Sequence, residues 1–289
     1  MQFQRKFVQC ISPAGLHKMA YKEWGDPRNP NVLLCVHGVT RVSDDFDVLA
    51  LTMSDQYRVI CPDVVGRGYS DCLPKAELYQ IPQYVSDMVT LLARLNAERL
   101  DWLGTSMGGL IGMGLAALPQ NPIHALILND VGPSLNFEGL MRIADFIGQD
   151  VRFDSFEAAA QYIREISVGF GSHSDAQWHK IANDVLRQNS EGKWVRHYDL
   201  KLALPIQATT PESAAIAQHI LWAAYDAIKC PTLLVRGLDS DLLSSETAMQ
   251  MQSRGPRAKL IELEGVGHAA SFVHAEQIAL VRDFLVSCK

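Results

Sequence analysis

No run of lysines or arginines occurs in this sequence of 289 residues, and its balance is acidic, 26 Lys and Arg against 32 Asp and Glu. A nucleic-acid partner would call for a basic stripe to meet phosphates, so that class is set aside. No apolar stretch approaches the roughly 20 residues of a membrane span, and the opening MQFQRKFVQCISPAG lacks the apolar core of a secretory signal. A cytoplasmic protein with no membrane partner is expected. Cysteine is sparse: six residues, with no C-x-x-C pair. Cys35, Cys61 and Cys230 fall in or beside strand-like runs, which predicts buried reduced thiols rather than a disulfide framework. The nine histidines show no metal-ligand spacing, so neither a metal nor another cofactor is expected. His173 and His179 stand in a polar stretch and are expected at the surface.

What the sequence does contain is alternation. After two segments that flank a Pro-Ala-Gly turn and read as a hairpin, short apolar runs at 32–36, 57–61, 100–103, 125–128, 232–235 and 259–263 read as strands. Helix-like segments at 44–53, 82–95, 107–118, 246–253 and 275–286 lie between or after them. Near-continuous apolar strands separated by helices predict an α/β fold, a mostly parallel central sheet covered by helices on both faces. The interval 134–225 breaks the rhythm. It has helical periodicity, many aromatics and no convincing strand, so it reads as a helical lid inserted before the next-to-last strand. The core then comprises 1–133 and 226–289. Most of the lid's aromatics are expected to pack its own interior, the rest to line an apolar pocket.

Within this frame LDWLGTSMGGLIG (100–112) places Ser106 where a strand run gives way to a helix run. Gly104 and Gly108 complete G-x-S-x-G, a strand–turn–helix bend that lifts the serine oxygen clear of the sheet. Gly108, Gly112 and Ala116 share one helix face, which can lie tight on the sheet. A serine hydroxyl is a poor nucleophile at neutral pH and needs a base, which in turn needs an orienting acid. His268, in the glycine-rich loop ELEGVGHAASF directly after the last apolar strand, is the expected base. The oxyanion donors are expected from the N–H groups of Met107, at a helix start, and Val39, in the loop His37-Gly38-Val39-Thr40 after the first apolar strand. His37 reads as a structural hydrogen-bonder behind that hole. Arg41 either greets a substrate carboxylate or is a solvated loop residue.

The ordered set VLLCVHGVTR, CPDVVGRGYS, GTSMGG, the lid and GVGHA resembles the α/β-hydrolase fold superfamily over nearly the whole chain, nearest to the lidded bacterial carboxylesterases and C–C bond hydrolases. The resemblance implies Ser106, His268, Val39 and Met107 in the roles just given, and a structural role beside the site for Asp63, Arg67 and Ser70. The pattern departs at the acid. The superfamily's usual position, three residues after the glycine closing the next-to-last strand, is Ser240 here, straddled by Asp239 and Asp241. A smaller set of similar esterases carries the acid directly after the preceding strand, and LILNDVGP supplies Asp130 there. Asp130 is the first choice, then Asp241, then Asp239.

The expected function is hydrolysis of a carboxylic ester of a small or medium molecule through an acyl-enzyme. C–C bond cleavage of a vinylogous diketone, lactone opening and thioester hydrolysis would use the same parts. A small-molecule receptor on a hydrolase fold is the reading from another class. Fold alone names no substrate.

Overall fold

The computed structural model describes residues 3–288. Among these described residues the strands and α-helices follow one another in the order β1 (Gln4–Ser12), β2 (Gly15–Trp24), β3 (Asn31–Val36), α1 (Asp47–Met53), β4 (Arg58–Pro62), α2 (Ile81–Leu95), β5 (Arg99–Thr105), α3 (Met107–Ala116), β6 (Ile123–Asn129), then α4 (Phe137–Ile147), α5 (Phe156–Ile166), α6 (Asp175–Val185), β7 (Leu186–Gln188), β8 (Trp194–Arg196), α7 (Ala203–Gln207), α8 (Pro211–Ala227), and finally β9 (Thr232–Gly237), α9 (Ser245–Ser253), β10 (Lys259–Leu263) and α10 (Ala275–Ser287). Eight strands form one sheet in the order β1-β2-β4-β3-β5-β6-β9-β10. The pairs β1–β2 and β2–β4 are antiparallel. Every later pair, from β4–β3 to β9–β10, is parallel.

The central strands are buried on both faces, and their alternation divides the core in two. Val32, Leu34 and Val36 of β3 face one apolar cluster with Trp102, Leu126, Leu128 and Leu234. Leu33 and Cys35 face the other with Leu103, Ile127, Leu233 and Val235. This is the period of two expected of strands covered on both sides. α2 and α3 cover the first face; α1 and α10 supply Leu49, Met53, Val281 and Leu285 to the second. α2 has Pro82 in its first turn, presents Tyr84, Met88, Leu91 and Leu95 inward at helical spacing, and ends at Asn96 with φ 47°. Each such large apolar side chain contributes about 1.5–3 kcal/mol when buried.

The crossover direction changes between β3 and β5, because β4 lies on one side of β3 and β5 on the other. In open α/β sheets the crevice beyond the strand ends at such a switch point is where ligands bind. The segment between β6 and β9 contributes Ile143, Phe146, Ile163 and Phe170 to a cavity at these ends, which Ser106 and His268 also line. Its helices α5 and α6 build a third cluster of Ala159, Ile163, Trp178, Ile181 and Val185, with Phe153, Phe156, Phe170 and Trp194 packed on it. Trp222 and Tyr225 of α8 instead join the cluster on the α3 face of the sheet. The segment also contains an antiparallel pair that the sequence did not suggest, Leu186↔Arg196 to Gln188↔Trp194, extended by a bridge from Trp194 to Phe153. Three residues per strand are too few for an alternation to register.

Candidate active site

β5 ends at Thr105, and Ser106 stands between it and α3 with φ 52° and ψ −116°. A serine held at positive φ is strained, and the strain is carried by the surrounding backbone. The Ser106 N–H donates to Asn129 O at 3.0 Å, and Ser106 O accepts from the N–H groups of Gly109 at 2.8 Å and Leu110 at 3.1 Å. Both flanking glycines are required by close approach. A Cβ at Gly104 would collide with the backbone of Gly108 and Gly109, and one at Gly108 with the carbonyl of Val36. Gly112 lies against the Trp102 indole, whose N–H donates to Gly108 O at 3.1 Å.

The structure brings Ser106, His268 and Asp130 together from three separate strand ends. The Ser106 hydroxyl lies 2.8 Å from His268 Nε2, and His268 Nδ1 lies 2.7 Å from Asp130 Oδ2. A carboxylate oxygen only accepts, so Nδ1 carries the hydrogen and Nε2 is left to accept from serine. Asp130 follows β6 directly at φ 52°, with no exposed surface. Its Oδ1 accepts the Gly237 N–H at 2.9 Å, and its Oδ2 also accepts the Ser240 hydroxyl at 2.5 Å. Ser240 is itself fixed, since its Oγ accepts from the N–H groups of Leu242 and Leu243 at 3.3 and 3.1 Å. The residue in the superfamily's usual acid position thus bonds to Asp130. Asp241 points elsewhere, 45% exposed and paired with Arg142 at 2.5 and 3.0 Å. Asp239 is exposed.

The loop after β3 is braced from behind. His37 has no exposed surface; its Nδ1–H donates to Gly38 O at 2.7 Å and its Nε2 accepts the Val64 N–H at 3.0 Å. Burial pulls its pKa down from 6.5 to about 4, so the ring is neutral, as these two bonds need. Arg67, 1% exposed, reaches both sides of the expected oxyanion hole, donating to Val39 O at 2.9 Å and contacting Met107 Sδ at 3.2 Å. Met107 is the first residue of α3, so its N–H has no intrahelical acceptor. Asp63 holds the neighbouring loops by accepting from Ser43 N at 2.7 Å and Tyr69 N at 3.0 Å.

These groups open onto a cavity of about 110 Å³, walled by Ile143, Phe146, Ile163 and Phe170 and edged by Arg41, Asp184 and Arg196. Arg41 is not solvated: it is 9% exposed and doubly bonded to Asp45, at 2.8 and 2.6 Å. Burial pushes the Asp184 carboxyl up to about 7, against the pull of Lys180 at 2.6 Å. His173 also departs from the surface position expected of it. Half-buried, it bonds Ser271 Oγ at 2.8 Å and stacks near Trp178 and His274, a long-range packing no local pattern announces. His179 is exposed. Away from the site, Cys10, His17 and Asp87 place donor atoms within 4.8 Å of one another. There Asp87 is already bonded by His17 at 3.0 Å and Gln83 at 2.8 Å, and burial followed by Asp87 pushes the Cys10 thiol up to about 12. That knot reads as packing under the N-terminal hairpin. No helix among the described residues is long and apolar enough to cross a membrane.

An elbow serine bonded to a histidine at the strand ends of a parallel sheet defines a class, and the family comparison agrees. The model of the alpha/beta hydrolase fold family matches residues 31–275, and the chain belongs to that family. Among its relatives, the 3-hydroxybutyrate-oligomer hydrolase of Cupriavidus necator is 52% identical over 281 residues, 96% of each chain. Two solved structures align over nearly full length: a putative hydrolase from Rickettsia typhi (31% identity, TM-score 0.89, 99% of both chains) and an alpha/beta hydrolase from Novosphingobium aromaticivorans (35% identity, TM-score 0.84, 98% of both). The chain is therefore a hydrolase, which decides for an enzyme against a pure receptor.

Proposed function

We propose that this chain is a serine ester hydrolase acting on short oligomers of 3-hydroxybutyrate through an acyl-enzyme. The observation that carries the reading is the chain of bonds from Ser106 to His268 at 2.8 Å and from His268 to Asp130 at 2.7 Å. In this mechanism Ser106 Oγ attacks the ester carbonyl while His268 Nε2 takes its proton. The Val39 and Met107 N–H groups receive the developing oxyanion, and the imidazolium is stabilised by Asp130. His268 returns the proton to the departing hydroxyl of the next unit. Water, deprotonated by the same histidine, then releases the acid. The substrate class is drawn from the C. necator relative, which aligns over 96% of this chain. The segment 134–225 acts as a lid whose apolar wall fits the short methyl-branched acyl unit.

The test is a panel of 3-hydroxybutyrate dimer and trimer, simple p-nitrophenyl esters, a lactone, a thioester and a ring-cleavage dienone. The dimer or trimer should show the highest kcat/KM. A dienone preferred over all esters would replace ester hydrolysis with C–C cleavage by the same residues.

A further inference from the structure

Three arginines line the cavity, and their partners differ. Arg41 is held by Asp45, with the shortest contact 2.6 Å, and Arg142 by Asp241, with the shortest contact 2.5 Å. Arg196, at the end of β8 and 6% exposed, forms no salt bridge among the described residues; Asp150, itself paired with Arg152, only feels its charge from farther off. The Arg196 guanidinium donates to backbone carbonyls, to Phe146 O at 2.7 Å, to Ile147 O at 3.4 Å and to Gln149 O. The faces of Tyr198 and Tyr162 lie 5.0 and 5.9 Å away.

The carbonyls at the end of α4 account for how the guanidinium is held. They do not neutralise it, because a helix C-terminus carries only about half a negative charge. A buried cation is ordinarily paired with an anion. Arg196 lines the cavity beside Ile143, Phe146 and Ile163, in a wall that also carries the ion-paired Arg41, Asp45, Arg142 and Asp184. In a partly buried site an incoming carboxylate is attracted more strongly than in water, and the guanidinium N–H groups not taken by the carbonyls can donate to it in charge-assisted bonds.

We propose that Arg196 is the anchor for a substrate carboxylate, so that the enzyme selects ester substrates bearing a free acid group and cleaves at a set distance from it. The proposal rests on the ester-hydrolase reading above and sharpens it: a 3-hydroxybutyrate oligomer carries one such carboxylate at its end. Arg41, the sequence's candidate for this task, already has its carboxylate in Asp45.

Two measurements test it. In the first, kcat/KM is compared for the free acid and the methyl ester of the 3-hydroxybutyrate dimer, in wild type, Arg196→Met and Arg196→Lys. The free-acid to methyl-ester ratio should fall by about 30-fold in Arg196→Met, the scale of one lost charge-assisted bond, and by less in Arg196→Lys. If Arg196 only caps α4, both substrates lose activity together, and an unmoved ratio overturns the proposal. The second uses unmutated enzyme: butyrate should inhibit p-nitrophenyl acetate hydrolysis at least tenfold more strongly than neutral butyramide, on the same scale. Equal inhibition overturns the proposal. Should the dimer prove a poor substrate while butyrate still inhibits selectively, the substrate reading fails and the carboxylate anchor stands.

Discussion

Ser240 donates its hydroxyl hydrogen to Asp130 over 2.5 Å, from the position where the superfamily usually keeps the acid itself. The two residues have divided one task between neighbouring strand ends. In the proposed triad Asp130 supplies the charge that orients His268, while Ser240, with the Gly237 N–H, holds the carboxylate. Asp130→Asn should therefore lower kcat by about 10³–10⁴-fold with the fold intact, the scale seen when a triad histidine loses its carboxylate. Ser240→Ala should cost about tenfold or somewhat more, one charge-assisted hydrogen bond. Steady-state kinetics on a p-nitrophenyl ester measure both. Asp241→Asn and Asp239→Asn should stay within about tenfold, because one is 45% exposed in a surface ion pair and the other is exposed. A large loss at Asp241 with a mild one at Asp130 would move the acid to the later strand.

Two glycines of α3 should respond in opposite directions to the same substitution. A Cβ at Gly108 meets the rigid backbone of Val36, whereas one at Gly114 meets only the side chains of Val85, at 3.3 Å, and Ile81, at 3.9 Å. Gly108→Ala should destabilise by about 2–3 kcal/mol through overpacking, outweighing the roughly 1 kcal/mol that alanine gains over glycine in a helix. Gly114→Ala should keep part of that gain. Urea unfolding midpoints of the two variants decide the matter, and equal shifts would deny the close contact at the elbow.

Acid should weaken the fold at His37. Burial holds its folded pKa near 4, below the unfolded value of 6.5, so the unfolded chain takes up the proton first. The stability tied to the neutral ring is present above pH 6.5 and is lost as the pH falls through 4. Its size is roughly 3 kcal/mol, from about 1.4 kcal/mol per pKa unit. His37→Gln should be less stable than wild type at pH 7 but lose less on going from pH 6.5 to 4. Parallel loss in the two proteins would show that other groups, such as His197, also pulled down to about 4 mainly by burial, carry the acid sensitivity.

The sheet, the elbow and the histidine loop were legible in the sequence because each is written locally. Strand runs are short and near-continuously apolar, glycines stand where backbones touch, and His268 lies in the loop after the last strand. Asp130, the residue next after β6, was singled out by the resemblance to esterases that carry an acid there, and its carboxylate lies 2.7 Å from His268 Nδ1. Ser240's bond to Asp130 was not legible, since 110 residues separate the two and a serine among polar neighbours gives no local signal. Arg41 and Arg196 look alike as loop or strand-end arginines. Arg41 finds its aspartate four residues on, whereas only tertiary packing gives Arg196 its three carbonyls, 47 to 50 residues away. The placement of Trp222 and Tyr225 on the α3 face likewise depends on long-range contact, whereas the local pair β7–β8 is too short for its pattern to register.

The central claim is that Ser106 is the nucleophile, and the most direct measurement is the covalent intermediate itself. Wild-type enzyme is mixed with 3-hydroxybutyrate dimer, quenched in acid within the first turnovers and digested for peptide mass spectrometry. One 3-hydroxybutyryl group should be found on the peptide carrying Ser106, and it should be missing in Ser106→Ala, whose kcat should be lower by several orders of magnitude. An acyl group on another side chain, or full turnover by Ser106→Ala, would contradict the account.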